Sequence, residues 1–267
     1  MLKRCFSIVC AIAFWGVCPV QAAVQVTIAT YYDYAPWIYP HETYRTQNNI
    51  SRFPGLTVLL CKRLTEMAHG RFVFVAEYIP RKRIDFMLQT NQLSVVAWAN
   101  PRPFNDAELK QYDWTAPLLD EPTYILSAKN NPLEYENLNS LIGKRFSSVL
   151  GHKYADLNSM IEAGKIIRDD ANSTESAIKK LTADRHVDFA LAERSALMAA
   201  ERDGRLDLNK FYLAPTPLRA HFNRHILIAK GYPELSEFIK NAVTQLRTDS
   251  AWIQELNHYG LKPAPAL

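Results

Sequence analysis

The side chains of this sequence that could bind a small charged molecule are an arginine, an acid and a dense group of aromatic rings. Arg102 carries a guanidinium whose fork of donors matches a carboxylate. Glu193 supplies a negative charge, and residues 31–37 (YYDYAPW) place four aromatic rings within seven positions. Aromatic faces can stack on the apolar part of a ligand. This combination suits a small zwitterion or an organic anion.

These residues follow the predicted strands of two successive βαβαβ units. In the first unit, β-branched and aromatic runs predict strands at 24–30, 72–78 and 93–98, and helical spacing predicts helices at 56–67 and 80–89. In the second unit, the predicted strands are 145–150, 166–168 and 187–192, and the predicted helices are 154–162, 174–181 and 195–201. Such units form parallel sheets covered by helices.

In sheets of this kind, ligands bind beyond the carboxyl ends of the strands, where the loops converge. Gly151 follows one predicted strand and leads into a predicted helix, whose first N–H groups could hold an anion. Segment 170–174 opens the next helix, with Asn172 or Ser173 as its cap. The candidate ligand-binding residues at these strand ends are Tyr34, Trp37, Trp98, Asn100, Arg102, Gly151, His152, Lys153, Tyr154, Ser173, Thr174 and Glu193.

Each feature also has a purely structural explanation that the sequence leaves open. The aromatic rings could pack in the core, Arg102 could be a solvated loop residue, and Gly151 could form an ordinary tight turn. Glu193 could be an acid in the first turn of a helix, stabilised by the helix dipole. The basic run at 81–83 (RKR) is interpreted as a solvated helix face.

The C-terminal part of the chain predicts a discontinuous first domain. A strand-like run at 222–229 and helical stripes at 235–246 and 252–258 need a core to cover, and we expect them to return to the first unit. We therefore predict an α/β fold of two lobes, each a wound, mostly parallel sheet flanked by helices, joined by two crossover segments. Lobe 1 comprises residues 23–122 and 219–267, and lobe 2 comprises residues 123–218.

Residues 1–22 predict a cleaved secretory signal, because Lys3 and Arg4 precede an uncharged run that ends in small residues. Removing it lowers the formal net charge from +4 to +2, which gives no indication of nucleic-acid binding. Three of the four cysteines lie in this segment, so the exported chain could form no internal disulfide. We expect the remaining Cys61 to be a buried hydrophobe.

Several expected catalytic patterns are missing from the sequence. It contains no HExxH, GxSxG or GxxxxGK motif, and its seven histidines are scattered. Nothing therefore indicates a zinc site, a serine hydrolase or a phosphate-binding loop, and no cofactor is implied.

Six segments, taken in order, resemble family 3 bacterial extracellular solute-binding proteins, the periplasmic receptors of polar amino acid ABC transporters. In chain order, these segments are YDYAPWIY, FPGLTVLLCKRL, RIDFMLQTNQLSVVAW, YDWTAPLLDEPTYIL, LIGKRFSSVLGHKY and VDFALAERSAL. The resemblance spans nearly all of the exported chain. It departs from the family where the usual Thr-x-x-Arg becomes Asn100, Pro101 and Arg102.

The resemblance implies a type II periplasmic-binding-protein-like fold that closes on its ligand. It implies that Arg102 binds the carboxylate of the ligand, that Glu193 binds its ammonium group, and that Tyr34 or Trp37 stacks on it. The implied protein is a periplasmic monomer without catalytic residues. It would capture a small polar solute, an amino acid or related carboxylate, for an ABC permease of the inner membrane.

Two alternatives stay open on the same fold. One is an exported dehydratase-like enzyme in which Glu193 acts as general acid. The other is a stand-alone receptor that passes ligand occupancy to a sensor.

Overall fold

Two β-sheets with helices packed on them are formed by the residues that the computed structural model describes, 22–38, 55–183 and 186–264. The strands are β1 Val24–Thr30, β2 Phe72–Tyr78, β3 Val95–Ala99, β4 Asp113–Trp114, β5 Leu119–Asp120, β6 Thr123–Ala128, β7 Arg145–Val149, β8 Ile167–Ala171, β9 Phe189–Glu193, β10 Phe211–Leu213 and β11 Asn223–Ile228. The helices are α1 Leu56–Met67, α2 Arg81–Gln89, α3 Asn158–Glu162, α4 Thr174–Lys179, α5 Arg194–Arg202, α6 Pro233–Leu246 and α7 Ser250–His258. The signal predicted at 1–22 lies outside the described residues, apart from Ala22.

The two sheets define two lobes. The sheet of lobe 1 has the strand order β2-β1-β3-β11-β4, with β5 also paired to β11. The sheet of lobe 2 has the order β10-β6-β9-β7-β8. The chain passes from lobe 1 to lobe 2 between β5 and β6, and it returns between β10 and β11. The predicted two-lobed α/β architecture is confirmed.

Each sheet is more mixed than the prediction of mostly parallel strands suggests. Strand β1 pairs in parallel with β2 and β3, and β7 pairs in parallel with β8 and β9, as the βαβαβ pattern predicts. The strands of the crossover segments, in contrast, pair antiparallel: β11 with β3, β4 and β5, and β6 with β9 and β10. Strands that carry the chain out of and back into a lobe thus extend each parallel unit at one side.

The predicted elements differ most from the structure in lobe 2. The helix predicted from residue 154 begins only at Asn158, because residues 154–157 form a turn in which Tyr154 packs edge-on against Phe146. The strand predicted at 166–168 continues to Ala171, although residues 168–170 are charged. These polar residues are tolerated because β8 is an edge strand, and Arg168 pairs with Asp170 at 2.8 Å.

The C-terminal segments pack with the elements of lobe 1. Strand β11 lies inside the sheet of lobe 1, and its Ile226, Leu227 and Ile228 are fully buried. Side chains of α6 and α7, among them Ile239 and Trp252, belong to the same core as α1 and β1–β3. Cys61 is buried in that core, as expected. None of the described helices is long and apolar enough to cross a membrane.

A buried hydrogen-bond chain fixes the loop after β1 to the rest of lobe 1. The indole N–H of Trp98 donates to the hydroxyl of Thr57 at 2.9 Å, and this hydroxyl donates to the carbonyl of Trp37 at 2.6 Å. All three residues are fully buried. The chain therefore joins β3, α1 and the aromatic loop in a place that water does not reach.

We predict that Thr57→Val lowers the free energy of unfolding by about 1–3 kcal/mol, because the shape is kept while the buried Trp98 N–H loses its acceptor and the Trp37 carbonyl keeps only the backbone N–H of Thr57. Urea unfolding measures this effect. The matched control is Thr244→Val, whose exposed hydroxyl donates to the carbonyl of Lys240. Equal losses in the two variants would contradict the prediction.

Candidate functional site

A cavity of about 90 Å³ lies between the lobes. Lobe 1 contributes the loop after β1 and the first residue of α2, and lobe 2 contributes the ends of β7 and β9 with the loop after β7. The crossover segments supply the remaining wall. Aromatic, charged and hydroxyl-bearing side chains line the cavity, among them Tyr31, Tyr32, Tyr34, Arg81, Thr123, His152, Lys153, Tyr154, Thr174, Glu193, Arg219 and Phe222.

A buried ion pair crosses between the lobes beside this cavity. Nη2 of Arg224 on β11 lies 3.1 Å from Oε1 of Glu193 at the end of β9. The side chain of Arg224 is fully buried, and that of Glu193 is 14% exposed. The hydroxyl of Tyr34 in lobe 1 donates to Oε2 of Glu193 at 3.1 Å. Both carboxylate oxygens of lobe 2's Glu193 are thus held by lobe 1.

Aromatic rings surround the guanidinium of Arg224. Its central carbon lies 4.1 Å from the ring centre of Trp37, 4.7 Å from that of Tyr32 and 5.0 Å from that of Phe222. Cation–π attraction is strongest at such water-excluded positions. Burial acts to lower the pKa of Arg224, but the nearby Tyr32 and Glu193 outweigh it, so the pKa lies above its usual value. Nε and Nη1 of Arg224 have no hydrogen-bond partner among the described residues.

A second buried acid stands behind this pair. Glu121, in the crossover between β5 and β6, accepts hydrogen bonds from the backbone N–H of Ser195 at 2.9 Å and from its hydroxyl at 3.0 Å. Burial and the charge of Glu193 raise the pKa of Glu121 to about 7. Glu121 therefore links the start of α5 to the crossover, and its charge state changes near neutral pH.

His152 closes the lobe 2 side of the cavity. Its ring meets the ring of Tyr31 edge-on, with centroids 6.0 Å apart. Burial and the nearby positive charge of Arg81 lower the pKa of His152 to about 4. The imidazole is therefore neutral at neutral pH and adds no charge to the cavity.

Arg81 and Arg219 line the cavity, and Arg102 does not. The side chain of Arg81 is only 3% exposed, and its guanidinium stacks 3.7 Å from the ring centre of Phe104 and bonds to Asp85 and to the carbonyl of Pro103. The basic run at 81–83 is thus not simply a solvated face. The side chain of Arg102 is 70% exposed and does not line the cavity; its Nη1 lies 3.7 Å from Asp156 of lobe 2. Proline at 101 and 103 confines Arg102 to a short 3₁₀ turn at the rim.

The structure brings six of the predicted site residues to the cavity wall: Tyr34, His152, Lys153, Tyr154, Thr174 and Glu193. Their role in ligand binding stays a prediction. Ser173 instead caps α4, accepting from the N–H of Ser176, and faces a neighbouring cleft of about 880 Å³. Three charged side chains of that cleft pair with each other, since Glu175 binds both Lys179 and Arg205.

The other predicted residues lie behind the cavity wall and do not line the cavity. Trp37 and Trp98 are fully buried core residues with ring centres 5.2 Å apart, so neither can stack on a ligand in this cavity. The amide of Asn100 donates to the carbonyl of Asn223 at 2.9 Å. Gly151 has φ = 82°, and the side chain of Lys82 lies over it. No helix follows Gly151 directly, so the expected N-terminal anion site is absent there.

Sequence reasoning missed Arg81, Thr123, Arg219 and Arg224. Arg219 binds Asp156 of lobe 2 through Nε at 2.8 Å and stacks 4.3 Å from Phe222. Only Arg224 had a usable signal, because it is a charged residue inside the strand-like run at 222–229. A charge in a buried strand indicates a partner charge from elsewhere in the fold.

No family model matches the sequence, and no curated protein matches it. Solved structures do match. The substrate-binding protein of an amino acid ABC transporter has a TM-score of 0.68 at 12% identity, covering 88% of this chain and 98% of that chain. A histidine kinase sensor domain with similarity to periplasmic binding proteins has a TM-score of 0.68 at 16% identity, with coverage of 91% and 99%.

A third similar structure is the ancestral amino acid-binding protein AncCDT-1, a precursor of cyclohexadienyl dehydratase. It has a TM-score of 0.64 at 18% identity, covering 88% of this chain and 95% of that chain. All three matches extend over both lobes of the described structure. The chain therefore has the two-lobed fold of amino acid-binding, periplasmic-binding-protein-like structures.

Proposed function

We propose that this protein is a periplasmic solute-binding protein that holds a small, polar, carboxylate-bearing solute between its lobes and delivers it to an ABC permease. The observation that supports this most is the inter-lobe cavity, whose wall is built from both lobes at once. A ligand shifts a two-lobed protein toward closure only through contacts that the open form lacks. A solute in this cavity would make such contacts.

The proposed division of roles follows from the geometry. Arg81 of lobe 1 supplies the guanidinium for the carboxylate in place of Arg102, since it lines the cavity and is buried. His152, Lys153, Tyr154 and Thr174 supply the wall of lobe 2. Arg102 and Arg219 both approach Asp156, so they hold the rim of the closed form.

Other functions on this fold have less support. A general acid must deliver a proton to its substrate. Both oxygens of Glu193 already accept hydrogen bonds from Arg224 and Tyr34, which suits a structural acceptor better than a proton donor. A sensor would bind its ligand in the same cavity and close in the same way. Ligand uptake that is lost on deletion of a permease would identify a transport receptor.

Arg81→Ala tests the proposed carboxylate contact. We expect it to weaken the tightest ligand from a library of amino acids and small carboxylates at least about tenfold, because a charge-assisted hydrogen bond contributes roughly 1.5–3 kcal/mol. Isothermal calorimetry gives the affinities. Arg83→Ala, an exposed change on the same helix, should leave them unchanged. If both variants bind like the parent, Arg81 does not contact the ligand.

Arg224→Met tests the inter-lobe ion pair. We expect it to lower the free energy of unfolding by roughly 3–5 kcal/mol, because the buried Glu193 loses its counter-charge. The double variant Arg224→Met with Glu193→Gln should recover part of this loss. Lys110→Met, which removes an ion pair that is exposed on both sides, should change stability by less than about 1 kcal/mol. Urea unfolding that gives Arg224→Met no larger loss than Lys110→Met would contradict the role of the pair.

His152 should make the protein less stable in acid. Its pKa is lowered in the fold to about 4 from an ordinary 6.5. As pH falls from 6.5 toward 4, the unfolded chain takes up a proton that the folded chain does not, so stability falls by up to about 3 kcal/mol. His152→Gln should remove this loss, whereas the exposed His69→Asn should not. Parallel pH profiles of unfolding for the two variants would exclude His152 as the source.

A further inference from the structure

The cavity offers few hydrogen-bond acceptors to a positively charged ligand group. Among its described lining residues, Glu193 is the only acid. Oε1 of Glu193 accepts from Arg224, and Oε2 accepts from Tyr34. An ammonium group has three donors to satisfy. Each oxygen of Glu193 already accepts one hydrogen bond, so an ammonium group would have to share this carboxylate with the buried guanidinium of Arg224.

Hydrogen-bond donors, by contrast, are plentiful in the same wall. Lys153 forms no ion pair with any described residue, and Arg81 uses Nε and Nη2, which leaves Nη1 without a described partner. The hydroxyl of Thr123 is buried and has no hydrogen-bond partner among the described residues, although the residue lines the cavity. A buried hydroxyl without a partner is unfavourable unless a ligand or a water molecule satisfies it.

Two phenol groups add to these donors. The hydroxyl of Tyr31 accepts from Tyr32, and the hydroxyl of Tyr154 accepts from the N–H of Val149, so each has its own proton free to donate. Burial raises the pKa of both tyrosines well above the ordinary value, which keeps them protonated. Acceptor atoms on a ligand would therefore meet donors from both lobes.

The cavity is also small. Its volume of about 90 Å³ is roughly a tenth of that of the neighbouring cleft, which is about 880 Å³. A cavity this small favours a short ligand over a long amino acid such as arginine.

We infer that this cavity selects a short carboxylate anion that lacks an ammonium group. The inference rests on the proposed function, since it names the class of solute that the same cavity would take. The carboxylate would bind Arg81 and Lys153, and the hydroxyls of Thr123, Tyr31 and Tyr154 would donate to its oxygens. Glu193 remains paired with Arg224, which stabilises the closed lobes, and it does not contact the ligand.

Matched ligands test the inference. L-lactate, pyruvate and L-alanine share a three-carbon carboxylate skeleton and differ in a hydroxyl, a carbonyl or an ammonium group on the second carbon. Calorimetry on the purified protein should show lactate or pyruvate binding at least about tenfold more tightly than alanine, because the ammonium would lose its water and find only a carboxylate that already accepts from Arg224 and Tyr34. Arginine should not bind detectably.

A variant then locates the binding. Thr123→Val removes a hydroxyl that has no partner without ligand, so it should weaken the tighter acid about fivefold or more while leaving the unfolding free energy equal or higher. Weaker binding together with unchanged stability supports the inference. Unchanged affinity would show that the anion is held elsewhere and would overturn it.

The remaining outcomes separate the inference from the proposed function. Tighter binding of alanine or arginine, abolished by Glu193→Gln, would overturn the inference and leave a solute-binding protein with an ammonium site. Absence of binding by all four compounds would overturn the inference. If small-angle scattering also showed no closure with any compound of the wider library, the proposed function would fail as well.

Discussion

The placement of one buried charge, Arg224, constrains the whole inter-lobe region. A guanidinium without access to water must keep its charge compensated, and here the compensating carboxylate comes from the opposite lobe. Separating the lobes would break the contact between Arg224 and Glu193 and leave the cation with only the aromatic rings around it. The closed arrangement is therefore stabilised by the protein's own side chains, and a ligand adds to a closure that is already partly formed.

The pairing with Arg224 also explains why Glu193, the acid at the end of β9, does not by itself indicate a positively charged ligand. In a cleft with a solvated carboxylate, an acid at that position would be free to bind an amine. Here the same carboxylate accepts hydrogen bonds from Arg224 and Tyr34, and burial together with the charge of Glu193 raises the pKa of the nearby Glu121 to about 7. The chemistry of the cavity is then decided by the donors that remain.

The fold was largely predictable from the sequence, and the site only in part. Sequence patterns located β1, α1 and β2 to the residue, because α1 and β2 each bury one face and β1 is rich in β-branched residues. They could not show that Trp37 points into the core while Tyr34 lines the cavity, since both belong to one aromatic run and differ only in backbone direction. The sequence also favoured Arg102, which follows a predicted strand, over Arg81. The burial of Arg81 depends on its contacts with Phe104 and Asp85, which only the three-dimensional structure shows.

The strand order of lobe 1 sets the order in which the two lobes can complete their sheets during synthesis. Strand β11, residues 223–228, is inserted between β3 and β4, whereas all strands of lobe 2 lie within the uninterrupted stretch from 123 to 213. Synthesis proceeds from the amino terminus, so all strands of the second lobe are available before the first lobe can complete its sheet. The lobe that begins the chain is the last to be completed, and until then its central strand β3 presents an open edge.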